Sequence, residues 1–210
     1  CLTVDLTSMH EGGKGGHMNK HQFWMSRFIF VAVCASLSAS LQVFSDVFIY
    51  WRDSLPNDFW RFWTAHWVHV GWIHFILNLL AFVCLPFIFP HVKNRQLLIL
   101  IVTISPCISL GFYYLMPYIE AYAGFSGVLH GLYVAVALVS LRYRKERKFA
   151  ALVLVLIVLK VIWENTFGQT GTAQLIGSPV LIESHLLGAI AGAAAGGLYL
   201  LYTQFKLAKS

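Results

Sequence analysis

Six apolar segments, at about 27–48, 70–90, 96–117, 125–141, 149–166 and 182–204, fill most of this 210-residue chain. A helix that crosses a bilayer needs roughly 20 mostly apolar residues, because each residue rises about 1.5 Å and the hydrocarbon core is about 30 Å thick. Several of the six are short or glycine-rich, yet each comes near that length. The chain is 58% hydrophobic and only 11% charged, more apolar surface than a soluble domain of this size could cover. The expectation is an all-α, polytopic membrane protein: a six-transmembrane-helix bundle forming one domain over 27–204, with a short cytoplasmic tail at 205–210.

Charge sets the orientation. Lys14, Lys20 and Arg27 precede the first segment, and Lys93 and Arg95 lie between the second and third. Arg142, Arg144, Lys145, Arg147 and Lys148 separate the fourth from the fifth, and Lys206 and Lys209 follow the sixth. All twelve fall on one side of a six-span arrangement, whereas the other side holds Arg52 and Arg61. Cationic loops stay cytoplasmic, so both termini are expected inside. The net charge of +6 reflects this loop bias and gives no reason to expect a nucleic-acid partner. The run Arg142–Lys148 reads as a topology signal, with contact to anionic lipid as the alternative.

Residues 1–26 are expected to form a tail outside the fold, either disordered or a misplaced start with Met18 as the natural beginning. The first apolar segment has no small-residue cleavage site and reads as a retained helix. Cys34, Cys84 and Cys107 lack metal-ligand spacing and read as small core residues.

With both termini inside, the second, fourth and sixth helices enter from the outer face. Ser126 then lies at the start of helix four and His185 near the start of helix six. His69, His74 and Asn78 fall at the start of helix two. Counting cationic loops made no use of these five residues, yet it brings them all to one depth, where water can reach them from outside. Ionisable residues in bilayer-length segments are costly and mark function. A serine hydroxyl attacks a carbonyl only when a base removes its proton, and histidine is the usual base. His185, Gly188, Gly192 and Gly196 share one helix stripe, the small-residue pattern that lets helices approach closely. That approach would bring His185 to Ser126. His74 and Asn78, four apart, share a face. Gly124-Phe125-Ser126-Gly127 differs from the soluble hydrolase elbow, which has glycine two residues after the serine where this chain has Val128.

Taken together, Gly124-x-Ser126-Gly127, His185-x-x-Gly188-x-x-x-Gly192 and His69-x4-His74-x3-Asn78 resemble the rhomboid family of intramembrane serine proteases. The likeness runs from about Trp60 to Leu201 and includes Trp60-Arg61, nine residues before His69. It implies Ser126 as nucleophile and His185 as base, with no acid. His74 and Asn78, with the Ser126 backbone N–H, would hold the oxyanion, and His69 would be structural. No cofactor and no metal are implied.

Finer details resemble one branch, the rhombosortases: His130 in Ser126-Gly127-Val128-Leu129-His130-Gly131, Lys160-x-x-Trp163-Glu164, and Trp60-Arg61-Phe62-Trp63-Thr64-Ala65-His66. Glu183 stands where that branch leads one to expect aspartate. The branch implies residence in a bacterial inner membrane. Its partners would be membrane-anchored exported proteins with a C-terminal Gly-Gly motif, a hydrophobic helix and a basic end, resolved by water or by a lipid-derived amine.

Two features stay open at this level. His130 lies one turn below Ser126 and reads as a core histidine bonded to a neighbouring helix, a contact for the substrate tail, or a rival base. Lys160 and Glu164 read as a mutually neutralising pair or as the recognition element for a Gly-Gly junction or acceptor amine. Rival functions are a general rhomboid protease, a catalytically dead client-binding relative, a metalloenzyme using His66, His69, His74, His130 and His185, and a transporter. The last lacks the internal repeats expected of it.

Overall fold

The computed structural model describes residues 19–168 and 170–208, so most of the expected N-terminal tail lies outside the described residues. The chain is an all-α membrane protein. Its main helices are α1 (Lys20–Gln42), α4 (Trp72–Ile88), α5 (Asn94–Leu115), α6 (Ser126–Ser140), α7 (Arg147–Phe167) and α9 (Ile182–Ala208). Shorter pieces are α2 (Ser45–Phe48), α3 (Arg61–Thr64) and α8 (Thr170–Ile176).

Helix α1 starts seven residues before the expected span because Asn19 caps it. The Asn19 side chain accepts the Gln22 N–H at 2.8 Å and the Gln22 side chain accepts the Asn19 N–H at 3.0 Å, a reciprocal cap that satisfies two orphan donors. The helix ends at Gln42, six residues early, and α9 continues through Ala208 where a tail was expected.

By length and composition, α1, α5, α7 and α9 suffice to cross a membrane, while α4 and α6 are apolar but shorter, at 17 and 15 residues. At about 1.5 Å per residue, α6 is roughly 22 Å long, less than the hydrocarbon thickness. The six-span expectation therefore meets four helices of spanning length and two short ones.

Helix α6 is the centre of the bundle, with ten of its residues buried against α4, α5, α7 and α9. Gly188 and Gly192 of α9 sit on the backbone of Gly127 and Gly131 of α6 so closely that a Cβ on either would overlap it. A Cβ on Gly131 would in turn stand 2.6 Å from the Gly188 carbonyl oxygen. Backbone meets backbone along this seam, as the glycine stripe predicts. Helix α7 is the opposite case, burying only Ala150, Val161 and Glu164.

On the side where α6 begins, the segment between α1 and α4 folds back over the bundle. Its two-residue strand β1 (Tyr50–Trp51) pairs antiparallel with β2 (Ala121–Tyr122), just before Ser126. Arg52 donates to the carbonyls of Phe112, Tyr113, Met116 and Ile119 at 2.5, 2.9, 2.9 and 3.1 Å. It thereby satisfies the Tyr113 carbonyl, left open at the C-terminus of α5, ties the turn that follows to that helix end, and places a cation at the negative end of the helix. Cys34 is buried as expected, but Cys84 and Cys107 lie on exposed helix faces. Helices α4 and α5 are apolar nearly all round, so periodicity did not mark which face packs.

Candidate active site

The site is built on the turn between β2 and α6. Gly124 has φ +150°, a conformation that favours glycine, and a Cβ there would stand 2.8 Å from His74 Cε1. The turn is held by the Gly124 N–H donating to the Ala65 carbonyl at 3.0 Å and by the Tyr122 hydroxyl donating to the Gly124 carbonyl at 2.5 Å. Burial pushes the Tyr122 phenol up to about 12, so it stays a donor at neutral pH. Two residues later Ser126 opens α6.

From α9, His185 Nε2 lies 2.9 Å from Ser126 Oγ. The other ring nitrogen, Nδ1, lies 2.6 Å from Glu164 Oε2 on α7. The side chains of His185 and Glu164 are only 4% and 2% exposed. The second Glu164 oxygen, Oε1, accepts from Lys160 Nζ, whose side chain is 47% exposed. Lysine and glutamate pair along one helix face, as their spacing predicts, but the carboxylate also reaches across to α9. The expected pair is therefore the outer end of a chain running Lys160, Glu164, His185, Ser126.

His130 lies one turn below Ser126, as expected, but its Nδ1 is 2.8 Å from the Ser126 carbonyl within its own helix, not a neighbouring one. Its ring stacks on His185, with centroids 4.1 Å apart and planes inclined by 17°. His130, Glu164 and His185 also have ligand atoms close enough to share a metal ion. The geometry disfavours that use: in-plane lone pairs of two nearly parallel stacked rings do not converge on one point, and His185 Nδ1 already faces the carboxylate. The arrangement suits proton transfer better than metal binding.

His74 and Asn78 are both buried on α4. His74 packs against Gly124, and Asn78 lines a small cavity with His69, Phe75 and Phe125, the last being the residue before Ser126. His74 Nδ1 and Asn78 Nδ2 have no hydrogen-bond partner among the described residues. A buried unpaired donor costs about 1–3 kcal/mol, and groups kept in that state are suited to meeting a charge that arrives with the substrate.

His69 is held through its backbone by the Gln42 side-chain amide, which accepts its N–H at 2.6 Å and donates to its carbonyl at 2.7 Å. Burial, then the neighbouring His74, push its imidazole down to about 3, so it is neutral and acts by packing, edge-on to His74 and Phe75. His66 bonds the Ser109 hydroxyl through Nε2 at 3.0 Å. Trp60 and Arg61 brace the fold-back segment and do not touch the Ser126–His185 pair. Arg61 pairs with Asp58 at 2.8 Å and donates to the carbonyls of Ile49 and Asp46 at 2.6 and 3.2 Å. Glu183 accepts from the Tyr118 hydroxyl at 3.4 Å.

Two residues of the site were missed as such. Tyr122 lies outside every motif. Glu164 was singled out, but its partner on α9 is a tertiary pairing that local spacing does not encode.

A comparison with curated proteins finds no match. The family model of the Rhomboid domain matches residues 56–202, a stretch that begins in the fold-back segment, takes in the Ser126 turn and His185, and ends within α9. By that match over more than half its length, this membrane chain belongs to the rhomboid family.

Proposed function

We propose that the protein is an intramembrane serine endopeptidase in which Ser126 is the nucleophile and His185 the base. The observation that carries this is the 2.9 Å contact between Ser126 Oγ and His185 Nε2, within the 2.6–3.2 Å or so that proton transfer requires. Ser126 Oγ attacks the peptide carbonyl as its proton passes to Nε2. The imidazolium then protonates the departing amine, leaving an acyl-serine. Water or another nucleophile gives its proton to Nε2 as it attacks the ester, and the imidazolium then returns that proton to the departing Ser126 Oγ, restoring the hydroxyl and the free base. His74, Asn78 and the Ser126 N–H hold the oxyanion, which fits the unpaired Asn78 amide and, in the tautomer with its proton on Nδ1, the unpaired His74 ring nitrogen.

Helices α4 and α6 complete a six-span bundle with both termini cytoplasmic. The short α6 begins below the outer surface, which gives water and substrate a common depth at Ser126. We place the enzyme in a bacterial inner membrane, where it processes C-terminal Gly-Gly sorting tails of exported proteins, as a rhombosortase. The support is the likeness at His130, at Lys160-x-x-Trp163-Glu164 and at Trp60–His66. The second reading, a general rhomboid protease cutting transmembrane segments, is favoured by Glu164, whose carboxylate is turned to His185 and not to a substrate path.

The test is cleavage in vesicles of two membrane-anchored reporters, one ending in Gly-Gly, an apolar helix and a basic tail, the other carrying an unrelated transmembrane segment. Selective cleavage of the first, lost in Ser126→Ala, supports the sorting enzyme. Equal cleavage of both, also lost in Ser126→Ala, supports the general protease. Cleavage that survives Ser126→Ala contradicts the serine mechanism.

A further inference from the structure

We propose that Glu164 is a positioning residue for catalysis, the third member of a Ser126–His185–Glu164 relay whose acid is delivered by α7. This rests on the Ser126–His185 reading and deepens it.

Ser126 can be activated only if His185 Nε2 is unprotonated and faces Oγ. A neutral imidazole carries one proton, so Nδ1 must then be the N–H. The stacked His130 ring, 4.1 Å away at 17°, fixes the plane of the His185 ring. Stacking does not decide which nitrogen faces the serine, because a half-turn of the ring leaves its plane unchanged. The 2.6 Å contact from Nδ1 to Glu164 Oε2 decides both questions. A carboxylate can only accept there, so Nδ1 holds the proton and Nε2 is left as the base. When the Ser126 proton moves to Nε2, the imidazolium forms beside a fixed negative charge, which stays ionised throughout. No bond to Glu164 is made or broken.

The placement of Glu164 on its helix is hard to explain otherwise. Helix α7 buries only two other residues, Ala150 and Val161. A carboxylate that needed only Lys160 could pair with it on the half-exposed face where that lysine lies. Instead Glu164 is 2% exposed and faces α9. Burying an ionised carboxylate is costly unless each oxygen is bonded. Lys160 on Oε1 and His185 on Oε2 meet that requirement, so the lysine keeps the acid ionised at depth.

The test uses the full chain in detergent or proteoliposomes and a fluorophosphonate that acylates activated serines, so it does not depend on substrate identity. In Glu164→Gln the amide can donate to Nδ1 and fix the wrong tautomer. The expected result is a fall in the inactivation rate constant of at least about 100-fold, with the concentration giving half-maximal rate within about threefold of wild type. Glu164→Asp should recover part of the rate. In the wild type, proton NMR with labelled histidine should show the Nδ1 proton of His185 far downfield, and Glu164→Gln should lose that resonance. A rate within about threefold of wild type in folded Glu164→Gln overturns the proposal, as does the absence of the downfield proton from the wild type. If Glu164→Gln does not fold, Lys160→Met combined with Glu164→Gln removes the stranded cation and is read in the same way, and the wild-type spectrum decides in any case. His185→Ala separates the two claims. Labelling that survives it defeats the Ser–His reading itself, whereas labelling lost there but kept in Glu164→Gln defeats only the role of Glu164.

Discussion

The α6–α9 seam and helix α7 solve the same problem, holding a polar side chain inside a membrane, in opposite ways. Along the seam, glycine faces glycine and the two backbones touch, so Ser126 and His185 are positioned by main chain with little room to move. Helix α7 meets the bundle through few buried residues, one of them Glu164, with Val153 and Leu154 half-buried against the core and most of its other large side chains facing outward. The contrast teaches that the proposed nucleophile and base share a rigid frame, while the proposed acid arrives on a loosely packed helix and is tied to that frame by its contact with His185.

The largest effect should come from filling the seam. Gly188→Val sets a branched side chain against the Gly127 carbonyl, where even a Cβ overlaps. Overpacking against side chains costs about 1–3 kcal/mol, and backbone yields less, so a loss of at least about 3 kcal/mol and of all cleavage is expected. Thermal unfolding in detergent reads the first and a reporter cleavage assay the second. A variant of wild-type stability would mean that the seam is looser than described.

Next comes the α4 side of the site. Asn78→Ala should lower turnover by about 10²–10³-fold, or about 2.7–4 kcal/mol of transition-state stabilisation, with substrate association little changed. The unpaired Asn78 Nδ2 motivates this. Turnover within about twofold of wild type removes the oxyanion role.

A smaller effect should follow pH. Burial holds His66 and His69 down to about 3 in the fold, against about 6.5 for a free imidazole. Between those values the unfolded chain binds more protons, so stability is complete above about pH 6.5 and is lost as pH falls towards 3. Unfolding at pH 5 should therefore occur at a lower temperature than at pH 7.5, with a loss of stability of about 2 kcal/mol for each histidine. His69→Phe should flatten the dependence, and an unchanged slope would show that the ring is not buried neutral. The smallest effect belongs to the outward face of α7: Leu156→Ala and Leu159→Ala, both on exposed positions, should change stability by no more than about 0.5 kcal/mol. A larger loss would mean that this face is packed against a partner.

How much of this was legible in the sequence follows from the range of each signal. The glycine stripe and the meeting of Ser126 with His185 could be read because helical spacing is a local property, and the structure brings the two side chains together along that seam. The bounds of α4, α5, α6 and α7 fall within two residues of the expected segments, whereas α1 is displaced because hydropathy does not see the Asn19 cap. The pairing of β1 with β2 and the Arg52 cap on α5 join distant segments through backbone groups, which leave no mark on periodicity. Glu164 shows the same limit: spacing put it beside Lys160, but only the packing of α7 on the bundle shows that its other oxygen meets His185.

The central claim is that Ser126 is an activated nucleophile served by His185. The direct measurement is mass spectrometric mapping of the fluorophosphonate adduct on the full chain in proteoliposomes, with Ser126→Ala and His185→Ala alongside. The expected result is one adduct per chain on the peptide containing Ser126, none in Ser126→Ala, and labelling slowed by at least about 100-fold in His185→Ala. An adduct on another serine, or Ser126 labelling at an unchanged rate without His185, would contradict the account.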